Sequence, residues 1–234
     1  MTLQLTAYLF VVAILGFPAP AGASSPRPPR PLKTFVSSHY YHGTDYDEAH
    51  AYGPQALPEL ERMLADPAMK GQWRSIVTTI AYIGSPESFH ILKDFLWHRF
   101  TGVVDDATWG ALLNVPNVMG TIPDTPGAQV SKYLAMGVNP AFWDSLPWRE
   151  RVHSEHFHDL SLVMSISSIN GLGCTGTPLA SDVLGRLSRS PYHARQRNSV
   201  SEAIDANQEV AEVGRSAFIK HVHARFDGEE RKLK

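Results

Sequence analysis

The sequence predicts an all-α protein, an α-solenoid of stacked antiparallel helix hairpins. Three observations support this fold class. A helix–glycine–hydroxyl–proline–helix pattern occurs three times along the chain. Apolar residues recur at helical spacing within the segments that flank each turn. No segment shows the sustained period-two alternation that is typical of a half-buried strand. Hydrophobic residues make up 43% of the chain, which is enough to form a core.

The three copies of this pattern lie at residues 76–96, 112–135 and 163–187. A helix can end through a left-handed glycine, and each copy offers one in the middle, at Gly84, Gly120 and Gly171 or Gly173. A hydroxyl followed by proline suits a helix start, because the hydroxyl caps the first turn and proline loses no hydrogen bond there. The predicted starts are Ser85-Pro86, Thr125-Pro126 and Thr177-Pro178.

Weaker copies flank these three. Gly53-Pro54 opens an amphipathic run whose apolar residues are Ala56, Leu57, Leu60, Met63 and Leu64. Near the end of the chain, residues 200–206 and 210–223 are predicted to form a closing helix pair. Pro116 falls within the first helix of the middle copy, so that helix is expected to kink or to begin late.

This pattern resembles the HEAT-like repeats of the bacterial type that also occur in phycobilin lyases. The resemblance covers roughly residues 52–225. It implies a HEAT-like superhelix, a curved stack of helix pairs with an extended surface for a protein partner. The alternative is a non-repetitive helical bundle whose hairpins share the same turn chemistry.

The first 23 residues are expected to be a signal peptide. An apolar run at residues 3–17 precedes Ala21-Gly22-Ala23, a small-residue cleavage pattern. The run is short of the roughly 20 residues that a membrane helix needs. We therefore expect a periplasmic or secreted protein with no stable membrane span after cleavage; an uncleaved anchor and a cytoplasmic protein are the alternatives. Residues 24–34 are interpreted as a Pro-rich linker, and residues 35–234 as the repeat domain.

Charge and cysteine content narrow the possible functions. Lys and Arg (21) nearly balance Asp and Glu (23), and the net charge is −2. Proteins that bind nucleic acid usually carry a basic excess, so no nucleic-acid partner is expected. The single cysteine, Cys174, excludes an intramolecular disulfide and is expected to be a buried or idle thiol.

An insertion at residues 137–159 is the first candidate site. Gly84 and Gly120 are 36 residues apart, whereas Gly120 and Gly173 are 53 apart, and the excess falls in this segment. Tryptophan and arginine dominate binding hot spots, so a protein partner is predicted to contact Phe142, Trp143, Trp148 and Arg149. Alternatively, the aromatic side chains fold back and fill the gap between neighbouring hairpins.

Histidines form the second candidate site. The insertion ends with His153, His156 and His158, and imidazoles at helical spacing can share a zinc or iron ion. A second cluster near residues 39–50 contains His39, His42, Asp45, Asp47, Glu48 and His50. Deoxyhypusine hydroxylases are HEAT-repeat enzymes that bind two irons through His-Glu dipeptides, but this chain contains no such dipeptide. The first expectation is that the protein binds no cofactor.

These observations favour an exported protein-interaction or scaffold module that binds a partner through its solenoid surface or its Trp-rich insertion. The alternative is a metal-dependent enzyme that uses a histidine cluster on a helical-repeat scaffold. A permanent subunit of an envelope assembly is a third possibility. No phosphate-binding glycine loop, hydrolase nucleophile elbow or zinc-protease motif is present.

Overall fold

The computed structural model describes residues 29–38, 44–99, 104–124, 129–148, 160–190 and 196–233. Within these ranges the chain is helical and contains no β-strand, which confirms the all-α class. The first helices are α1 (Leu32–Val36), α2 (Tyr46–Ala51), α3 (Leu57–Ala65), α4 (Trp73–Ile83), α5 (Pro86–Asp94) and α6 (Asp106–Met119). The remaining ones are α7 (Gln129–Gly137), α8 (Leu160–Gly173), α9 (Pro178–Ser188), α10 (Arg197–Val213) and α11 (Arg215–Leu233).

Short helical turns of other types connect some of these helices. Turns of 3-10 helix lie at Pro54–Ala56, Pro67–Gln72 and Pro140–Ser145. A π-helical turn, Phe95–Arg99, extends α5. The predicted amphipathic run after Gly53 is α3, and its buried residues are Leu57, Leu60, Met63 and Leu64.

The first predicted hairpin forms as expected. Gly84 ends α4 in the left-handed region, with φ of 72°, where glycine avoids the steric cost of a side chain. The Ser85 hydroxyl then accepts a hydrogen bond from the Ser88 amide, and Pro86 occupies the first turn of α5. The same chemistry starts α9, where the Thr177 hydroxyl accepts from the Ala180 amide at 3.2 Å.

The middle hairpin differs from the prediction. Its two helices exist as α6 and α7, but α7 packs on α8 and α9 rather than mainly on α6. The connection is long enough to carry α7 across to α8. Thr125-Pro126 lies outside the described residues, and the capping group that the structure describes is the Asp124 carboxylate, which accepts from the amides of Val130 and Ser131.

The expectation of left-handed glycines at Gly120, Gly171 and Gly173 was wrong. Gly120 has the right-handed helical conformation, with φ of −59°, and the other two lie within α8. All three sit where neighbouring helices approach closely. A Cβ on Gly120 would overlap the Gly171 carbonyl, and one on Gly171 would overlap the Pro116 carbonyl. A Cβ on Gly173 would lie 2.9 Å from the Ala203 backbone. These glycines therefore allow contact between helices.

Two further expectations are settled in part or corrected. Helix α6 runs from Asp106 to Met119 through Pro116, which excludes the late start and leaves the kink as the expectation. The predicted break between residues 206 and 210 is absent: α10 continues to Val213, and the chain turns at Gly214, which has φ of 83°. The closing pair is thus α10 and α11, and glycine again provides the turn.

Even-numbered helices form the centre of the protein. Helix α4 contacts α2 and α6, and α8 contacts α6 and α10. On the other side, α3 contacts α5, and α7 contacts α9. Helix α11 packs on α10 and also reaches α2, so the contacts α2–α4–α6–α8–α10–α11–α2 form a closed circuit. A small second core of Val210, Phe218 and Ile219 lies where α11 joins the others.

Part of the stretch predicted as a linker is helical and packed against the fold. Helix α1 starts at Leu32, and Phe35 within it is fully buried. Arg30 forms an ion pair with Glu48 of α2 at 2.8 Å, and the Tyr52 hydroxyl donates to the Arg30 carbonyl. The Arg30 side chain also holds the pKa of Glu48 below its usual range.

Candidate functional site

A cleft of about 540 Å³ opens between the end of α1, helix α4 and helix α6. This volume falls within the range of ligand sites in proteins. Most of its side chains are polar: α4 contributes Arg74, Ser75, Thr78 and Tyr82, and α6 contributes Asn114 and Asn117. We call this region the polar cleft.

Regular helix geometry brings these side chains together. Asn114 and Asn117 are three residues apart on α6 and therefore lie on one face of that helix. The Asn114 side-chain amide donates to the Thr78 hydroxyl at 2.9 Å, which joins α6 to α4 across the cleft. The Thr78 hydroxyl in turn donates to the Arg74 carbonyl, one turn earlier in α4. These two hydrogen bonds connect α6 to α4 along the wall of the cleft.

Several polar groups of the cleft have no partner within the described part of the chain. The Ser75 hydroxyl oxygen is buried and makes no hydrogen bond there. Asn117 makes no side-chain hydrogen bond to a described residue, and Arg74 makes no ion pair with one. The Ser75 oxygen is closed to solvent, whereas Arg74 is exposed and Asn117 is half-buried. Arg74 and Asn117 are therefore the groups that a polar ligand in the cleft could reach.

Arg74 gives the polar cleft a positive character. Its side chain is exposed, and the described residues that line the cleft include no aspartate, glutamate or second cation. A guanidinium carries five N–H donors in a planar fork, which matches the two oxygens of a carboxylate. The hydroxyls and amides around it add neutral donors and acceptors.

Tyr82 forms one end of the cleft. Burial raises the pKa of its phenol well above the usual range, so the hydroxyl stays protonated at neutral pH. The Tyr82 ring contacts the Tyr46 ring edge-on, with the centroids 5.1 Å apart, and the His223 ring of α11 at 6.4 Å. The cleft therefore borders the region where α11 joins α2 and α4.

The tryptophans of the predicted partner site are in the interior. Trp143 and Trp148 are both 0% exposed. The Trp143 indole N–H donates to the Gly137 carbonyl at 2.7 Å, and that of Trp148 donates to the Leu96 carbonyl at 2.8 Å. A fully covered side chain offers no surface to a partner. In this conformation the two rings fill the space between helices.

Phe142 is the described member of the predicted site that keeps some exposure. Its ring packs edge-on against Trp143 at 4.8 Å and against Trp97 at 5.5 Å. Tyr133 of α7 joins the same cluster, and its hydroxyl accepts from the Trp97 indole N–H at 2.7 Å. Arg149, the fourth predicted residue, lies outside the described residues.

The predicted metal ligands His153, His156 and His158 also lie outside the described residues, as do His39 and His42. Across the ranges that the structure describes, no group of three or more His, Cys, Asp or Glu side chains could hold a metal ion.

The other members of the second histidine cluster serve local structure. The Asp45 carboxylate caps α2 by accepting from the Glu48 amide at 3.0 Å, and Asp47 pairs with Lys220 of α11. One ring nitrogen of His50 lies 3.1 Å from the Tyr82 carbonyl oxygen.

Cys174 follows α8 and packs against the second core. Desolvation raises the pKa of its thiol to about 11, although the nearby Arg215 acts in the opposite direction. A thiol with this pKa is almost entirely protonated at neutral pH, and the thiolate is the reactive form. The structure gives no support to a nucleophilic role for Cys174.

Sequence reasoning did not find the polar cleft. The available signal was the pair Asn114 and Asn117 within the otherwise apolar run of α6. Uncharged polar residues three positions apart on an apolar helix indicate either a buried network or a binding surface. Sequence alone does not place α4 opposite them, and the cleft exists only through that contact.

Comparison with protein-family models, with curated proteins and with solved structures finds no match to this chain. In the part of the chain that the structure describes, no helix combines the length and apolar character needed to cross a bilayer.

Proposed function

We propose that this protein is an interaction module and that a partner protein inserts an extended segment into the polar cleft. The observation that carries this proposal is the exposed Arg74, which forms no ion pair with a described residue, beside the half-buried Asn117 across the cleft between α4 and α6. A ligand that pairs with these two side chains gains a charge-assisted hydrogen bond from Arg74 and neutral hydrogen bonds from Asn117. This assigns the binding role to the helical surface rather than to the Trp-rich insertion.

A peptide segment suits the lining of the cleft. Asparagine and serine side chains offer donors and acceptors that match the N–H and C=O groups of an extended backbone. A nucleic acid suits it less well, because the described lining provides one cation and the whole chain carries a net charge of −2.

We further propose that helices α2 to α10 stack as a HEAT-like solenoid, with α11 connecting α10 to α2. Support comes from the ordered contacts of α4, α6, α8 and α10 and from the contacts of α3 with α5 and of α7 with α9. In such a stack each helix pair shields the apolar face of its neighbour, and the exposed faces form one long surface.

Export to the periplasm or the medium is part of the same proposal. The apolar run at residues 3–17 and the Ala21-Gly22-Ala23 pattern support it. Intact-mass measurement of the protein recovered from its source cells provides the test. We expect a chain that begins at residue 24; a full-length chain that starts at Met1 would contradict cleavage.

Photocrosslinking tests the interaction site. A benzophenone side chain is introduced at Gln72, on the rim of the polar cleft, or at Glu87, an exposed position on α5. After illumination in the source cells, we expect a discrete adduct with Gln72 but not with Glu87. Identical adducts at both positions, or none at Gln72, would show that the polar cleft is not the binding site.

A further inference from the structure

Arg74 is the feature of the polar cleft that defines what its ligand must carry. It is the one charged side chain among the described residues of the lining, and no described carboxylate neutralises it. A cation held at the mouth of a cleft attracts an anionic group and favours one whose oxygens match the guanidinium fork.

The neighbouring groups favour a peptide carboxylate over a phosphate chain. A polymer of phosphates requires several cations along its path, and the described lining offers one. One guanidinium surrounded by hydroxyls is the donor set that a single carboxylate needs.

The asparagines fit the backbone next to that carboxylate. The Asn114 amide N–H is used by Thr78, which leaves its carbonyl oxygen as an acceptor for a peptide N–H. Asn117, one turn further along α6, still has both its donor and its acceptor available to a ligand. The cleft thus offers a charged contact on α4, at Arg74, and contacts for a peptide backbone on α6, at Asn114 and Asn117.

We infer that the polar cleft recognises an extended peptide through a carboxylate that pairs with Arg74, while Asn114 and Asn117 pair with the adjoining peptide backbone. The carboxylate belongs either to an aspartate or glutamate side chain or to a free C-terminus. This inference rests on the proposed interaction function and adds the chemistry of the partner.

Gly71 provides a way to block the cleft. It lines the cleft, and a Cβ at this position would meet no atom within 4 Å. Gly71→Trp therefore places an indole in the opening without displacing the core. Gly185→Trp on α9 is the matched control, because a Cβ there meets only the Arg189 guanidinium, at 3.7 Å.

The experiment selects peptides from a random display library on the purified full-length protein. Clones that bind the Gly185→Trp variant but not the Gly71→Trp variant are cleft-dependent. Representative peptides are synthesised with each carboxylate as the acid or as the matching amide, so that side-chain and C-terminal carboxylates are distinguished. Their affinities are measured by fluorescence anisotropy against the parent protein, Arg74→Gln and Arg62→Gln. Arg62 is an exposed arginine on α3 and controls for net charge.

We expect the cleft-dependent peptides to share one carboxylate. Arg74→Gln should weaken them about tenfold or more, and the amide form of that carboxylate should weaken them to the same extent, as expected for a charge-assisted hydrogen-bonded pair. Arg62→Gln should leave the affinity unchanged. Each variant should unfold at the Tm of the parent protein, and this result would exclude misfolding as the cause of weaker peptide binding.

Two results would overturn the inference, and they differ in what remains. If cleft-dependent peptides bind Arg74→Gln as tightly as the parent protein, the recognition of a carboxylate by Arg74 is refuted and the proposed interaction function stands. A selection that yields no cleft-dependent peptide would refute both the recognition of a carboxylate and the proposed interaction function.

Discussion

Gly171 is a helical position at which one added methyl group should lower stability measurably. It lies in α8 opposite α6, and a Cβ there would overlap the Pro116 carbonyl oxygen and lie 3.1 Å from its carbonyl carbon. These are backbone atoms of a helix, so they cannot move aside without separating α8 from α6. Gly171→Ala therefore tests whether close helix contact, rather than turn geometry, requires this glycine.

The magnitude of the change in unfolding free energy follows from two opposing effects. Alanine in a helix interior gains roughly 0.5–1 kcal/mol over glycine because less backbone entropy is lost on folding. Overpacking costs about 1–3 kcal/mol, and more where the neighbour cannot yield. We expect a net loss of about 2 kcal/mol for Gly171→Ala, which corresponds to a fall in Tm of roughly 4–8 °C.

The assay is thermal unfolding by circular dichroism, with Gly185→Ala as the matched control. Gly185 lies in the interior of α9, and a Cβ there meets only the Arg189 guanidinium, at 3.7 Å. Gly185→Ala should therefore raise Tm slightly, so the two substitutions should act with opposite signs. If Gly171→Ala also raised Tm, the proposed packing of α6 against α8 would be refuted.

Three other perturbations have defined outcomes. Trp148→Phe removes the indole that donates to the Leu96 carbonyl and should lower the free energy of unfolding by about 1–3 kcal/mol in urea titrations; an unchanged midpoint would show that the ring is not in the core. Asn207→Ala removes a 2% exposed amide whose oxygen accepts from the Thr177 amide, with a similar expected loss by the same assay. The Lys70 ammonium, 2.6 Å from the Asp105 carboxylate, lowers the pKa of Asp105 from 3.8 to about 2, so the stabilising contribution of this carboxylate is present above pH 3.8 and lost as pH falls towards 2. Asp105→Asn should retain the helix cap but reduce the loss of unfolding free energy between pH 3.8 and 2. An unchanged dependence of the unfolding free energy on pH in this range would contradict this.

The local features of the fold were predictable where one residue type has one physical use. Ser85-Pro86 and Thr177-Pro178 start helices as predicted because capping depends on a few consecutive residues. The left-handed Gly84 was predictable for the same reason. Gly120 was not, because glycine serves equally for a turn and for close contact between helices, and the partner helix decides which applies.

The candidate site was harder to predict because it depends on contacts between distant segments. An aromatic insertion at residues 137–159 was visible in the sequence, but the burial of Trp143 and Trp148 depends on the space between helices that are far apart along the chain. Likewise, Asn114 becomes part of a cleft only because α6 lies against Thr78 of α4, 36 residues earlier.

The contact between α11 and α2 affects how the molecule can come apart. An open row of helix pairs can fray from either end, since each terminal pair has a neighbour on one side only. Here Lys220 pairs with Asp47 at 2.9 Å, and the His223 ring meets Tyr82, so α11 contacts α2 and α4 as well as α10. The contacts of α11 therefore link the unfolding of α10 to that of α2. Loss of α11 would uncover the α2 end as well as α10, and would also open the side of the polar cleft that Tyr82 borders.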